Sequence, residues 1–146
     1  RFDVVVLDFP DPSNYSVGKL YSTTLYTKVR RLLAPGGKLV VQSTSPLLAR
    51  RSFWCVVSTL RTSGFTVMPY RVFVPSFADW GFVLAGLESF DRPTRLPPAA
   101  LAYLDPRTLE HLFDLPADVS EVPVDANRLN NQALVSYYLR EWSRWE

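Results

Sequence analysis

Four apolar residues, Val4-Val5-Val6-Leu7, run directly into Asp8, and the next four, Phe9-Pro10-Asp11-Pro12, set a second acid between two prolines. An unbroken apolar run rich in β-branched side chains predicts a strand buried on both faces. The prolines then exclude a helix: each fixes its own φ and drives the preceding residue, Phe9 or Asp11, into an extended conformation. The chain therefore leaves the strand as a stiff extended loop, with Asp8 at the strand's carboxyl end and Asp11 just beyond it. In an open α/β sheet that end is where ligands bind. Two neighbouring carboxylates there suit a cationic substrate or a proton-transfer role. A capping acid followed by a turn acid has the same spacing, so the residues alone leave both readings open.

The rest of the chain alternates strand and helix signals. Phe2–Asp8 is the first strand, and Asp11–Gly18 is loop. Ser22 is the expected N-cap of a helix to Leu33, with Leu25, Val29, Leu32 and Leu33 as its apolar stripe and Pro35-Gly36-Gly37 as its stop. Gly36-Gly37-Lys38 follows a helix and precedes a strand, the reverse of a phosphate-binding loop. Lys38–Ser43 is the second strand. Ser45-Pro46 predicts the start of a helix running to Ser63, ended by Gly64. Thr66–Val74 and Trp80–Gly86 read as two more strands, antiparallel neighbours because their link is short.

Strand–helix–strand–helix–strand is an α/β pattern with right-handed crossovers. A proline-rich connector follows over Glu88–Pro98, then a short helix from Asp105-Pro106 to Phe113 and an irregular stretch over Pro116–Asn131. The last helix is expected over Asn131–Trp145, its stripe of Leu134, Val135, Tyr138, Leu139 and Trp142 covering the sheet domain. The expected division is a partial sheet domain over residues 1–88 and a connector with helical tail over residues 89–146.

Composition excludes several classes. At 146 residues the chain can bury a real core, and 47% hydrophobic with 21% charged residues is ordinary for a soluble globular domain. A net charge of +2 gives no mandate for nucleic acid. One cysteine, Cys55, excludes an internal disulfide and a multi-cysteine zinc site. No apolar run reaches the roughly 18 residues of a membrane span. Because Arg1 falls inside a strand signal, the chain is expected to be part of a longer protein.

Beyond the two acids, Gln42 ends the second strand and faces the crevice of Asp8 if the strands are adjacent. It could orient an amine or a carboxylate there, or simply meet water. Tyr15, Tyr21, Phe77 and Trp80 fall near the same edge, where aromatic faces attract cations, although each also fits ordinary packing. His111 stands alone on the late helix and reads as structural. Cys55 reads as a small buried residue.

Asp8-Phe9-Pro10-Asp11-Pro12 resembles the D-x-x-D-P signature of the polyamine aminopropyltransferases, the spermidine synthase family. The likeness continues in register through Leu20-Tyr21, Leu25-Tyr26, Gly37 and Val40-Val41-Gln42. It extends to Val74-Pro75-Ser76-Phe77 with Gly81-Phe82, similar to the family's I-P-S/T-Y…G-F segment. Pro12-Ser13-Asn14-Tyr15-Ser16, Gly18-Lys19-Leu20-Tyr21-Ser22 and the ending Asn127-Arg128-Leu129-Asn130-Asn131 with Tyr137-Tyr138 and Trp142 resemble a bacterial branch with membrane helices upstream of the catalytic domain.

The resemblance implies the carboxyl-terminal half of a Rossmann-like methyltransferase fold, about four strands with flanking helices plus a helical tail. It implies transfer of an aminopropyl group from decarboxylated S-adenosylmethionine, as co-substrate, to a diamine such as putrescine, with no metal. By carry-over Asp8 is the catalytic base, Asp11, Gln42 and Phe77 bind the amine, and Tyr15 contacts the nucleoside. It further implies a homodimer and a parent protein on the cytoplasmic side of the bacterial inner membrane, this fragment being soluble. Three positions differ from the family's usual pattern: Phe9 and Pro10 replace small hydroxyl residues, Phe77 replaces a tyrosine, and Tyr15 stands where a proline is common. The nucleoside-binding loop lies upstream in the family, so the fragment alone is expected to be inactive. The rival readings are a methyltransferase-like enzyme that uses S-adenosylmethionine on another substrate and a non-catalytic polyamine-binding or assembly domain.

Overall fold

The computed structural model describes residues 1–76 and 78–144. Its elements are β1 (Phe2–Leu7), a single turn α1 (Tyr15–Gly18) continuing into a 3-10 turn (Lys19–Tyr21), α2 (Thr23–Leu32), β2 (Leu33–Ser43), α3 (Arg50–Thr62), β3 (Thr66–Val74), β4 (Ala78–Gly86), α4 (Pro106–His111) and α5 (Ala133–Trp142). The four strands form one mixed sheet in the order β1-β2-β4-β3. β1 and β2 are parallel, joined by the α2 crossover, and β4 runs antiparallel between β2 and β3. The α/β class and the antiparallel β3–β4 pair agree with the sequence.

Strand alternation puts the core on one face of this sheet. Val5 and Leu7 pair with Leu39 and Val41, which pair in turn with Ala85 and Val83. Leu39, Val41, Val83 and Ala85 are fully buried, together with Phe53, Val57 and Leu60 of α3. Each such large side chain contributes about 1.5–3 kcal/mol by leaving water. α5 packs on α3 and α1. No helix among the described residues is long and apolar enough to cross a membrane.

The structure corrects several boundaries. β1 is not buried on both faces: Phe2, Val4 and Val6 are 57%, 63% and 64% exposed, because β1 lies at an edge of the described sheet and that face of it is uncovered. α2 stops at Leu32, since Pro35 disfavours helix before it and Leu33 is already extended. β2 therefore begins at Leu33 rather than Lys38, with a bulge between the Phe2–Leu33 and Val4–Lys38 pairs. Gly36 turns there with a φ of 73°.

Ser45-Pro46 opens an isolated turn rather than the helix. The Ser45 hydroxyl accepts from the Leu48 N–H at 3.3 Å, and Ala49 is non-helical at φ −135°, so α3 starts only at Arg50. The last helix is shorter than expected, and Leu139, counted in its stripe, is 52% exposed. Its buried face is Leu134, Val135, Tyr137, Tyr138 and Glu141. The Ser22 cap holds as expected, its hydroxyl accepting from the Leu25 N–H at 3.3 Å.

Candidate active site

Asp8 follows the last residue of β1, and the chain runs on through the two prolines to Asp11 without regular secondary structure. Tyr21 fixes this bend. Its buried hydroxyl lies 3.0 Å from both the Phe9 and Pro10 carbonyl oxygens and donates its one hydrogen between them. Its ring meets Phe9 edge to face, centroids 5.9 Å apart. The loop after Asp11 closes quickly: the Ser13 N–H donates to the Asp11 carbonyl at 2.7 Å, and the Asn14 side chain caps α1 by accepting from the Val17 N–H at 3.1 Å. Local capping thus falls to Asn14, and the Asp11 carboxylate is held instead by Tyr138 of α5, whose hydroxyl donates to Oδ2 at 3.0 Å.

Gln42 lies one residue past Val41, the partner of Leu7, so the parallel register brings it beside Asp8. Its amide orientation follows from its neighbours: the nitrogen donates to Asp8 Oδ1, and the oxygen accepts from Trp80 Nε1 at 3.1 Å. Asp11, Gln42, Val74, Trp80 and Phe82 line one cavity of about 430 Å³. Phe82, opposite Gln42 in the β2–β4 pair, stacks on Tyr70 with centroids 5.4 Å apart. The result is a pocket with a carboxylate, an amide and two aromatic walls, next to a second carboxylate.

Two carboxylates dominate the electrostatics here. Among the described residues no lysine or arginine forms an ion pair with Asp8 or Asp11. Burial raises the pKa of Asp11, and the Tyr138 hydrogen bond opposes that rise. Tyr21 is pushed well above its ordinary value by burial, then by the charges of Asp11 and Asp8, and burial and Asp11 do the same to Tyr138. Both phenols therefore stay protonated donors.

Asp8, Asp11 and Gln42 come together as the sequence suggested. Tyr15 does not join them: it is 64% exposed on α1 and does not line the cavity. Phe77 lies outside the described residues. Trp80, one of several aromatics expected near this edge, bonds Gln42, whereas Val74 and Phe82 stand in the sequence only as part of the family segment and Tyr138 only in the stripe and ending of the last helix. β-strand alternation could have found Phe82, since it faces Gln42; nothing in the spacing links Tyr138 to a residue 127 positions earlier.

Other candidate residues fall elsewhere. His111 is exposed, with Nδ1 3.0 Å from Asp114 Oδ2. Cys55 is buried in α3, its thiol donating to the Asp125 carbonyl at 3.2 Å and its pKa pushed up to about 12 by burial.

Residues 1–91 match the family model described as spermine/spermidine synthase domain. The chain is 50% identical over 146 residues to a polyamine aminopropyltransferase of Leptospira interrogans, covering 98% of this chain and 28% of that protein. It is 46% identical over 145 residues to polyamine aminopropyltransferase 2 of Ralstonia nicotianae, covering 97% of the chain and 28% of the relative. Against a polyamine aminopropyltransferase of Mycobacterium tuberculosis the identity is 40% over 144 residues, covering 97% and 27%. The chain thus spans under a third of the length of these relatives. With more than half of its residues inside the family model, and with its paired acids, Gln42 and aromatic pocket at one end of the sheet, the chain belongs to the spermine/spermidine synthase family.

Proposed function

We propose that this chain forms the amine-binding and proton-accepting part of a polyamine aminopropyltransferase that acts on a diamine such as putrescine. The observation that carries this is the placement of two carboxylates, Asp8 and Asp11, that have no basic partner among the described residues, beside an aromatic cavity to which Gln42 also contributes. An alkylammonium has a pKa near about 10 and cannot attack until it loses a proton. Asp11 attracts and orients the cation, and Asp8 accepts the proton as the amine attacks. The co-substrate, decarboxylated S-adenosylmethionine, supplies an aminopropyl carbon on a sulfonium. The new N–C bond forms as the C–S bond breaks, and its electron pair neutralises the sulfur.

By the resemblance Phe77 completes the amine pocket and Tyr15 meets the nucleoside, with no metal involved. The same reading includes upstream membrane helices in the parent, a place on the cytoplasmic side of the membrane and a homodimer. Calorimetric titration of the purified chain with putrescine tests its core. Saturable binding that Asp11→Asn weakens is the expected result. Absence of binding, or binding indifferent to both Asp8→Asn and Asp11→Asn, would overturn it.

A further inference from the structure

Tyr138 lies outside residues 1–91, the part matched by the family model, yet it makes the one side-chain hydrogen bond to Asp11 found among the described residues. Its helix is locked in place at two points. Asn127, fully buried, donates its side-chain amide to the Gly18 carbonyl at 2.8 Å and accepts from the Leu134 N–H at 3.2 Å. Its backbone N–H donates to Thr59 Oγ1 at 2.8 Å, and its carbonyl accepts from the Thr23 N–H at 3.0 Å. The second point is a close approach: a Cβ on Gly18 would fall 2.4 Å from Val135 Cγ2, so only glycine lets α5 sit so near α1. Tyr138 is one helical turn beyond Leu134 and shares its face. The lock on the start of α5 therefore sets where the Tyr138 hydroxyl falls.

We propose that Tyr138 is a positioning residue for the amine site: the anchored tail helix holds Oδ2 of Asp11 and leaves Oδ1 to receive the ammonium. This rests on the amine-binding function proposed above. The tail then acts on the site through Asp11, without itself lining the cavity. The titratable groups around Asp11 are Asp8 from the end of β1, Tyr21 from the 3-10 turn and Tyr138 from α5. A hydrogen bond to the charged form favours it. Removing the Tyr138 hydroxyl therefore leaves burial unopposed, so Asp11 takes up its proton at higher pH and its carboxylate loses a fixed orientation.

The test uses the whole chain with Tyr138→Phe, which keeps the ring, and Tyr137→Phe as a control, since Tyr137 bonds Asp125 at 3.2 Å instead. Circular dichroism checks the fold of each. Carbon-detected NMR follows the Asp11 carboxyl through a pH titration, and calorimetry measures putrescine binding. Tyr138→Phe is expected to raise the Asp11 midpoint by about half a unit or more and to weaken binding about 3- to 10-fold, with Tyr137→Phe changing neither. An unchanged midpoint, or equal effects from both variants, overturns the proposal. Putrescine binding that Tyr138→Phe leaves untouched overturns it as well. If the unaltered chain binds no putrescine, the amine-binding function fails instead, and the midpoint still decides whether Tyr138 governs Asp11.

Discussion

Glu141 of α5 caps α3 from 90 residues away: its carboxylate accepts from the Arg51 N–H at 2.7 Å and, through its other oxygen, from the Ser52 N–H at 3.0 Å and the Ser52 hydroxyl at 2.7 Å. The first N–H groups of a helix have no partner within it, and the helix dipole favours a negative charge there. Because this cap is nearly buried, Glu141→Ala strands several donors at once. A loss of about 2–3 kcal/mol is expected, with Glu141→Gln losing less because one oxygen remains. Urea unfolding curves of the three proteins give the comparison; equal midpoints would mean that water caps α3 as well as Glu141 does.

On the roles proposed above, Asp8→Asn, made in a full-length aminopropyltransferase that carries this chain, takes away the proton acceptor. The expected fall in kcat is about 10²- to 10⁴-fold. Asp11→Asn removes the charge proposed to hold the amine and is expected to act mainly on KM. Steady-state kinetics over a range of putrescine concentrations separate the two, and the opposite pattern would exchange their roles.

Asp11 also makes stability depend on pH. Its pKa is raised in the folded state, chiefly by burial, so at pH values between the unfolded and folded pKa the folded chain holds a proton there that the unfolded chain has already lost. Ionised Asp11 thus destabilises the fold above its folded pKa, and this cost disappears as pH falls below the ordinary carboxylate value. Asp11→Asn is expected to raise the melting temperature at pH 7 and to leave it unchanged near pH 3. A melting temperature lowered at pH 7 would show that the Tyr138 bond outweighs burial.

The uncovered face of β1 gives the homodimer expectation a physical basis. Phe2, Val4 and Val6 present an apolar stripe on a strand that has no pairing partner on its outer side among the described residues. Such an edge is a template for another chain. Sedimentation velocity is expected to show association that rises with concentration and is abolished by Val4→Lys with Val6→Lys. A monomer at every concentration would show that this edge does not pair.

Features governed by near neighbours were legible. The run Val4–Leu7 marks a strand, Ser22 caps α2, and the short link between β3 and β4 makes them antiparallel. Asp8 and Gln42 share one crevice whenever their strands are adjacent and parallel, and β1 and β2 are. What escaped depends on residues far apart in the chain. Ser45-Pro46 carries a strong helix-start signal, yet the donors of α3 go to Glu141, and no local pattern foretells a cap from another helix. Burial of β1 on both faces fails because an apolar run reports a preference for cover without supplying the cover. Tyr138 reads as one more stripe residue, and only the fold shows that its hydroxyl meets Asp11.

Asn127 has a consequence for motion. Through four hydrogen bonds it satisfies groups at the end of α1, the start of α2, the last turn of α3 and the start of α5. None of these bonds can be lost alone without stranding another buried polar group, so the amides of Thr23, Asn127 and Leu134 have no cheap individual route to solvent. They should exchange with deuterium in one shared opening step, as a single cooperative unit spanning both ends of the chain.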